Sequence, residues 1–311
     1  MKLYKKILFF LLISLSAGTL SAGEAPLRIL GVGNSFTRNS MRYLPQIIKS
    51  NPDLSADVAY AYIGGCPLDK HVSLAEAHEL DATKGKAYLY NMNGEDIRKQ
   101  VPLKEMLEDG EWDYITIQQV SSKSFKIDTF YPYTERLIAY IKQYAPDAEI
   151  VIHETWAHSI DSYRVKSWGL KPDAMYADLH AAYAQVAEEF GLRVIPVGTA
   201  FQNAKKEALW DYQPTTIDTK TLVYPADQYN LPDQSKSLHK IFYWRKNNEG
   251  NMYVANDGYH AGKYGEYLGA LVWYEFFFNA DAREVSYKPN DFSDEQAVSL
   301  RQVAHETMHA Q

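Results

Sequence analysis

The stretch LRILGVGNSFT, residues 27–37, decides the fold. It opens with a short apolar run that stops at glycine, which predicts a buried β-strand. Residues 40–49 then place apolar side chains at helical spacing, which predicts a helix soon after the strand. A strand followed closely by a helix is the start of a βαβ unit, and it leaves Ser35 in the connection between the two elements.

The same alternation continues along the chain. Apolar runs predict four further strands, over residues 58–63, 114–117, 149–152 and 192–197. Periodic patterns predict helices over residues 133–144, 175–190 and 264–278, the second of which ends at Gly191. We therefore expect an α/β fold, a three-layer α/β/α sandwich with a central parallel sheet of about five strands. Functional residues in such sheets lie at the carboxyl ends of the strands.

Two segments interrupt the alternation. Residues 67–110 are polar and prone to form helices, and residues 205–252 are rich in turns and aromatic side chains. Long loops in compact domains are often functional, so we expect the second segment to form part of a substrate-binding rim. The alternative, an insertion that only covers the core, has nearly equal weight. Without internal repeats or a low-complexity linker, residues 23–311 are predicted to form a single domain.

The N-terminus has the pattern of a secretory signal. Lys2, Lys5 and Lys6 precede an apolar run over residues 7–20, and small residues follow up to Ala22. We predict cleavage after Ala22 and a bacterial protein that is periplasmic or secreted, with no membrane span once the signal is removed. The alternative is an uncleaved N-terminal anchor, although the run is short for a membrane span.

Charge and cysteine content narrow the function classes. The net charge is −7, and it becomes about −10 without the three lysines of the signal, which argues against a nucleic-acid partner. Cys66 is the only cysteine, so no internal disulfide is available. The 24 tyrosines and 6 tryptophans suit a surface that faces sugars, because each ring has an apolar face and a polar edge. The alternative is that most of them are ordinary core and rim residues.

Two motifs together indicate serine catalysis. A serine after a strand more often caps a helix, so Ser35 alone is a weak signal. The motif NDGYH at residues 256–260 precedes the last core helix, and its Asp257 and His260 can share one turn. A serine nucleophile needs a base and a group that orients the base. We therefore predict that Ser35 is the nucleophile, His260 the general base and Asp257 the orienting carboxylate.

With these motifs the sequence resembles the SGNH hydrolases, also called GDSL-like esterases and lipases, and within them the DUF4886-like bacterial branch whose first block is Gly-Asn-Ser-Phe-Thr. The resemblance covers residues 27–278. It implies an SGNH/flavodoxin-like fold and an oxyanion hole that contains the N–H groups of Ser35 and Gly64. The family's third-block asparagine is absent, and the third strand ends at Gln118 and Gln119. The resemblance implies that one of these two amides substitutes for it, and which one is left open.

The fourth predicted strand ends at the same edge of the sheet. Glu154 and Trp156 follow it, and we expect both to contact substrate. Ordinary packing is the alternative for an aromatic residue at the end of a strand.

The C-terminal helix contains a pattern that zinc proteases share. His305, Glu306 and His309 match His-Glu-x-x-His. Zinc proteases of this kind commonly take a third ligand from downstream, where only two residues remain, so we expect two histidines on a solvated helical face. Neither a metal nor an organic cofactor is expected.

These observations predict an exported serine esterase. It would hydrolyse ester substituents, acetyl first and methyl second, on a polysaccharide or oligosaccharide through an acyl-enzyme. The alternatives are a non-catalytic carbohydrate-binding protein on the same fold, or an SGNH hydrolase of the lipase or thioesterase type. A mean hydropathy of −0.38 and a charged, tyrosine-rich insertion argue against the large apolar mouth of a lipase.

Overall fold

A seven-stranded sheet forms the centre of the protein, in a computed structural model that describes residues 25–310. The predicted signal, residues 1–22, lies outside the described residues. The strands are β1 (Leu27–Gly33), β2 (Ala56–Tyr62), β3 (Tyr88–Met92), β4 (Glu95–Val101), β5 (Tyr114–Ile117), β6 (Glu149–His153) and β7 (Arg193–Ile195). Their order across the sheet is β4-β3-β2-β1-β5-β6-β7.

Five of these strands run parallel, as predicted. β2, β1, β5, β6 and β7 pair in parallel, and taken in chain order they have the 2-1-3-4-5 arrangement of flavodoxin-like sheets. The two additional strands, β3 and β4, form an antiparallel hairpin beside β2. Residues 67–110, which the sequence suggested only as helix-prone, supply this hairpin. The edge strand β4 is charged and mostly exposed, so it lacks the apolar alternation that marks a half-buried strand.

Helices cover both faces of the sheet, which confirms the three-layer α/β/α sandwich. They are α1 (Ser35–Ser40), α2 (Leu44–Lys49), α3 (Leu68–Leu80), α4 (Leu103–Glu108), α5 (Tyr133–Tyr144), α6 (Tyr163–Trp168), α7 (Pro172–Phe190), α8 (Val197–Ala204), α9 (Lys263–Phe278) and α10 (Asp294–His309). One hydrophobic core lies between the sheet and α1, α2, α8, α9 and α10, and a second lies under α3, α4, α5 and α7. None of the helices among residues 25–310 is long and apolar enough to cross a bilayer.

The single helix predicted over residues 40–49 is wrong. The chain forms two short helices there, α1 and α2, separated by a turn at residues 41–43. Pro45 explains the break, because proline in a helix interior lacks the N–H donor and its ring clashes with the preceding turn. Proline fits in the first turn of a helix, and Pro45 occupies that position in α2.

Residues 205–252 contain little regular structure before a short hairpin. After α8 the chain forms a long loop, and β8 (Phe242–Lys246) and β9 (Met252–Asn256) then pair as a separate two-stranded sheet. β9 leads directly into residues 257–260, which in turn lead into α9. The insertion is therefore the immediate scaffold of the predicted Asp–His motif.

Candidate active site

Ser35 lies at the carboxyl end of β1, beside the point where the strand order of the sheet reverses. Ligands in open α/β sheets bind in the crevice at this switch point. Gly33 makes the tight connection, because a Cβ atom there would lie only 2.2 Å from Thr37 Oγ1. Asn34 caps α1 by accepting the N–H of Phe36 through its Oδ1 at 3.1 Å. The short turn thus leaves Ser35 half-exposed at the edge of the sheet.

Ser35, His260 and Asp257 form one hydrogen-bonded chain. His260 Nδ1 lies 2.8 Å from Asp257 Oδ2, and His260 Nε2 lies 2.8 Å from Ser35 Oγ. A carboxylate only accepts hydrogen bonds, so His260 Nδ1 carries a hydrogen and donates a hydrogen bond to Asp257. Nε2 is then the acceptor for the Ser35 hydroxyl. Two segments 225 residues apart in sequence therefore place a base against a serine hydroxyl.

Asp257 is in the state that an orienting carboxylate requires. Burial alone would raise the pKa of this group, whose exposed fraction is 6%. The hydrogen bond from the His260 ring and those from the backbone N–H groups of Tyr259 and His260 outweigh the burial, and the pKa is lowered. Asp257 is thus ionised at neutral pH and holds the imidazole in one tautomer.

The loop that carries Asp257 and His260 is held by backbone contacts from the insertion. Asp257 N–H donates to the carbonyl of Ile241 at 2.8 Å, and Gly258 N–H donates to the carbonyl of Lys240 at 2.8 Å. Lys240 N–H returns a bond to the carbonyl of His260 at 3.0 Å. Residues 205–252 were predicted to form part of a substrate rim. Two of these residues, Lys240 and Ile241, lie just before β8 and support the Asp–His loop directly.

A second segment clamps the same loop from the opposite side. Ser162 Oγ donates to the carbonyl of Asp257 at 2.9 Å, and Ser159 N–H donates to the carbonyl of Gly258 at 2.7 Å. Gly258 has φ of +71°, and a Cβ atom there would lie 2.7 Å from the Ser162 backbone. Only glycine fits this position, because a side chain would be strained in backbone conformation and would clash with the clamp.

Gly64 lies in a tight turn that is bonded to the serine segment. Ile63 N–H donates to the carbonyl of Gly33 at 3.2 Å, and Asn34 Nδ2 donates to the carbonyl of Cys66 at 3.0 Å. Within residues 25–310, the N–H groups of Ser35 and Gly64 donate to no other protein group. Both donors are thus available beside the serine hydroxyl.

Gln119 is not available as an oxyanion donor. Its Nε2 donates to the carbonyl of Thr129 at 2.8 Å and lies 3.3 Å from Thr129 Oγ1, and its Oε1 accepts the N–H of Leu68 at 3.1 Å. The side chain is fully buried. The prediction that its amide could serve the oxyanion is therefore wrong, because the amide instead ties together two loops at the end of β5.

Gln118 forms hydrogen bonds with residues on both sides of Ser35 in the serine turn. Its Nε2 donates to Asn34 Oδ1 at 2.8 Å, and its Oε1 lies 2.8 Å from Thr37 Oγ1 and 2.7 Å from His153 Nδ1. Burial lowers the pKa of His153 to about 3, so the ring is neutral and Nδ1–H is the donor to Gln118. His153 Nε2 then accepts from Ser40 Oγ at 3.3 Å. With an exposed fraction of 1%, Gln118 fixes Asn34, the residue before the serine.

Gln118→Ala is expected to lower the free energy of unfolding by about 2 kcal/mol, because it leaves Thr37 Oγ1 and His153 Nδ1 without their buried partner and removes one of the two hydrogen bonds to Asn34 Oδ1. Urea denaturation measures this loss. Gln143→Ala, on the exposed face of α5, is the matched control and is expected to change stability by less than about 0.5 kcal/mol. Equal stability of the two variants would contradict the proposed support role.

Residues 28–230 match the sequence profile of a family described as a domain of unknown function, DUF4886. The match covers well over half of the chain and includes the serine turn, the glycine turn and the glutamine pair. The chain belongs to the DUF4886 family. The DUF4886-like branch named by the sequence resemblance is therefore confirmed. The matched range ends before the Asp–His loop, which lies beyond residue 230.

A solved structure shares the fold of this DUF4886 chain, and others resemble it more weakly. A DUF4886 family protein from Bacteroides uniformis superposes with a TM-score of 0.72 at 22% identity, covering 92% of this chain and 95% of that chain. A candidate SGNH hydrolase from Slackia heliotrinireducens gives a TM-score of 0.49 at 20% identity, covering 81% and 98%. A candidate GDSL-like lipase from Parabacteroides merdae gives 0.44 at 16%, covering 80% and 94%. No curated protein matches the chain significantly.

Two residues expected at the substrate surface of the DUF4886 chain are buried instead. Trp156 is fully buried and stacks between Phe36 and Phe201, with ring centroids 4.2 Å and 4.6 Å away. Its Nε1 donates to the carbonyl of Tyr259 at 2.9 Å, so it fixes the loop beside His260 from the core side. The prediction that Trp156 contacts substrate is wrong.

Glu154 is likewise withdrawn from the surface, with an exposed fraction of 1%. Its carboxylate accepts from Thr199 Oγ1 at 3.0 Å and lies 3.3 Å from His180 Nδ1. The hydrogen bond with Glu154 raises the pKa of His180. This pair joins the end of β6 to α7 and α8, so the prediction that Glu154 contacts substrate is also wrong.

Two tyrosine–arginine pairs near the candidate site were not predicted from the sequence. The ring of Tyr259 lies 4.2 Å from the imidazole of His260, and the guanidinium of Arg164 lies 3.8 Å over that ring. On the other side, Arg38 lies 5.6 Å over the ring of Tyr62, the residue that ends β2. Neither arginine forms an ion pair within residues 25–310.

A sequence signal existed for only one of these two pairs. Arg38 follows Ser35 by three residues, so a helix at that position brings the two side chains to the same face. Arg164 and Tyr259 are 95 residues apart, and only the fold brings them together. The surface around the candidate site is therefore aromatic and cationic, in a chain whose net charge is negative.

Proposed function

We propose that this DUF4886 protein is a serine esterase of the SGNH hydrolase type, which removes acetyl or, second, methyl ester substituents from polysaccharides outside the cytoplasm. The observation that carries the proposal is the chain of two 2.8 Å hydrogen bonds from Asp257 through His260 to Ser35. A carbohydrate-binding protein without catalysis would have no use for an ionised carboxylate, a fixed imidazole tautomer and an aligned hydroxyl at one strand end.

The proposed reaction proceeds through an acyl-enzyme. Ser35 Oγ attacks the ester carbonyl carbon while its proton passes to His260 Nε2, and Asp257 stabilises the resulting imidazolium. The tetrahedral intermediate collapses, the C–O bond to the alcohol breaks, and His260 gives the proton to the leaving alkoxide. Water then attacks the acyl-enzyme with His260 as base, which releases the acid and restores the Ser35 hydroxyl.

We propose that the N–H groups of Ser35 and Gly64 bind the oxyanion. Both are free of other protein partners among residues 25–310, and the bonds from the glycine turn to the carbonyl of Gly33 and from Asn34 to Cys66 fix one donor beside the other. Fixed N–H donors stabilise the charge that develops in the transition state. Gln118 would contribute indirectly, by holding Asn34 in place.

The substrate class follows from the surroundings of the serine. Tyrosine rings paired with arginines flank both sides of the site, which suits the faces and hydroxyl groups of sugars better than acyl chains. The two unpaired guanidinium groups also favour glycans that carry carboxylates. The predicted signal at residues 1–22 would place the enzyme in the periplasm or outside the cell, where such polymers occur.

The proposal is tested by measuring acetate and methanol released from acetylated xylan, acetylated pectin and methyl-esterified pectin. We expect acetate release, faster from the acidic polymer than from the neutral one, and a rate ratio that shrinks as salt screens the arginines. A chromogenic acetyl ester is assayed in parallel. Turnover of that ester without release from any glycan would retain the esterase and refute the polysaccharide substrate.

A further inference from the structure

The sequence suggested that both histidines of the C-terminal helix lie on a solvated face, but only His309 does so. His305 and His309 are one turn apart on α10, and their ring centroids are 4.1 Å apart. Both rings face Glu275, which lies near the end of the neighbouring helix α9. His305 is largely covered, with 16% of its side chain exposed, while His309 remains open to solvent.

Three ligand atoms converge at this contact. Glu275 Oε1 lies 2.8 Å from His305 Nδ1 and 3.4 Å from His309 Nδ1, and all three atoms lie within 4.8 Å of one another. Four ligands at 2.0–2.1 Å from a tetrahedral zinc ion are separated from each other by about 3.3 Å. The two distances from Oε1 bracket this value. To bind the ion, His309 Nδ1 would exchange its present hydrogen bond with the carbonyl of His305, at 2.9 Å, for a metal bond.

The carboxylate of Glu275 needs a cation. Its exposed fraction is 5%, and its other oxygen, Oε2, accepts the N–H of Ala282 at 2.9 Å. Among the described residues, the imidazoles of His305 and His309 are the only side chains that contact it as ion-pair or hydrogen-bond partners. Asp281 also lies near His305, at 3.2 Å, but it is bound by Arg283. Buried carboxylates are paired with cations or coordinate metals.

We propose that Glu275, His305 and His309 bind a divalent ion of the zinc class, with solvent at the open side of His309. Imidazole and carboxylate donors suit Zn²⁺, whereas Mg²⁺ prefers an all-oxygen shell. A zinc site on this helix needs a third ligand, which zinc proteases commonly take from downstream of the second histidine. The structure supplies one from upstream, on α9, where local sequence spacing gives no indication of it.

The ion would join α9 to α10 and would take no part in ester hydrolysis. Glu306, the residue that would act as base in a zinc protease, is exposed and accepts a hydrogen bond from Gln302 at 2.7 Å. Glu275 lies twelve residues beyond Lys263, the start of α9, which places it about 18 Å along the helix from the end nearest His260. The site is thus distinct from the candidate active site.

Isothermal titration of tag-free protein lacking residues 1–22 with Zn²⁺, in metal-free buffer, tests the proposal. We expect one Zn²⁺ per chain and a higher Tm with Zn²⁺ but not with Mg²⁺. His309→Gln is expected to raise the Kd for Zn²⁺ at least about tenfold, and His305→Gln as much or more. His78→Gln, at a partly exposed position on α3, is the matched control and should bind as the unaltered chain does.

Two results would overturn the inference. One is the absence of stoichiometric Zn²⁺ binding, and the other is a Kd that His309→Gln leaves at the value of the His78→Gln control. Because His309 is exposed, its replacement is not expected to unfold the chain, so a loss of binding in that variant reports on the site itself.

Discussion

Ser35→Ala is expected to lower kcat for a chromogenic acetyl ester by about 10⁴- to 10⁶-fold, with the protein still folded. The hydroxyl is half-exposed and makes its hydrogen bond with His260, so its removal abolishes the nucleophile without opening a cavity in either core. Initial rates together with Tm measure the two effects separately. Ser73→Ala, on the exposed surface of α3, is the matched control and should keep full activity.

A double variant makes this test sharper. If Ser35 and His260 act as one unit, Ser35→Ala and the double variant Ser35→Ala/His260→Ala should have nearly the same residual activity. Full additivity of the two losses would show that each residue acts in a different step. Turnover by Ser35→Ala at more than about a hundredth of the normal rate would remove Ser35 as the nucleophile.

Acidification from pH 7 to pH 5 is expected to destabilise the fold by about 6 kcal/mol through three buried histidines. Burial lowers the pKa of His71 and His153 to about 3 and that of His239 to about 4. In the unfolded chain each of these histidines has a pKa near 6.5. Below that pH the unfolded state is therefore protonated at these side chains, while the folded state stays neutral there. Stability is therefore complete above about pH 6.5 and falls as the pH drops, by about 2 kcal/mol per histidine at pH 5.

Urea denaturation at pH 7 and pH 5 measures this effect directly. A loss of about 6 kcal/mol is comparable to the whole stability of many domains, so the transition should move to very low urea at pH 5. His153→Gln keeps a donor for Gln118 but cannot titrate, and it should reduce the loss between pH 7 and pH 5 by about 2 kcal/mol. His78→Gln, at a partly exposed position on α3, is the control and should change the pH dependence less than His153→Gln does. Equal slopes for the two variants would refute the role of His153.

Short sequence patterns were enough to predict the five parallel strands and the three residues of the candidate site. The five parallel strands have apolar runs that stop at turns, and Ser35, Asp257 and His260 lie where the chain leaves a strand or enters a helix. The parallel strand order predicts the position of Ser35 at the carboxyl edge of the sheet. Asp257 and His260 follow β9 of the separate two-stranded sheet, so their position depends on the insertion, whose Lys240 and Ile241 hold their loop.

The errors concern residues whose roles are set by distant partners. Gln119 and Trp156 follow strands at the expected edge. The amide of Gln119, however, is bound to Thr129. The ring of Trp156 is stacked between Phe36 and Phe201. Both adjacent glutamines are buried, and no periodicity in the sequence specifies which partners each amide binds. The hairpin β3–β4 was missed for a related reason, because its outer strand is charged and shows no apolar face.

Because backbone groups attach the Asp–His loop to the insertion, the shape of the substrate surface and the alignment of His260 with Ser35 can change independently in evolution. Backbone groups of Lys240 and Ile241 hold the loop, so many side chains at these positions are compatible with the same bonds. Relatives can therefore replace the sequence of the long loop before them, and with it the shape offered to a substrate, while the base stays aligned with its serine. Specificity can diverge in such a lineage without a matching loss of catalytic alignment.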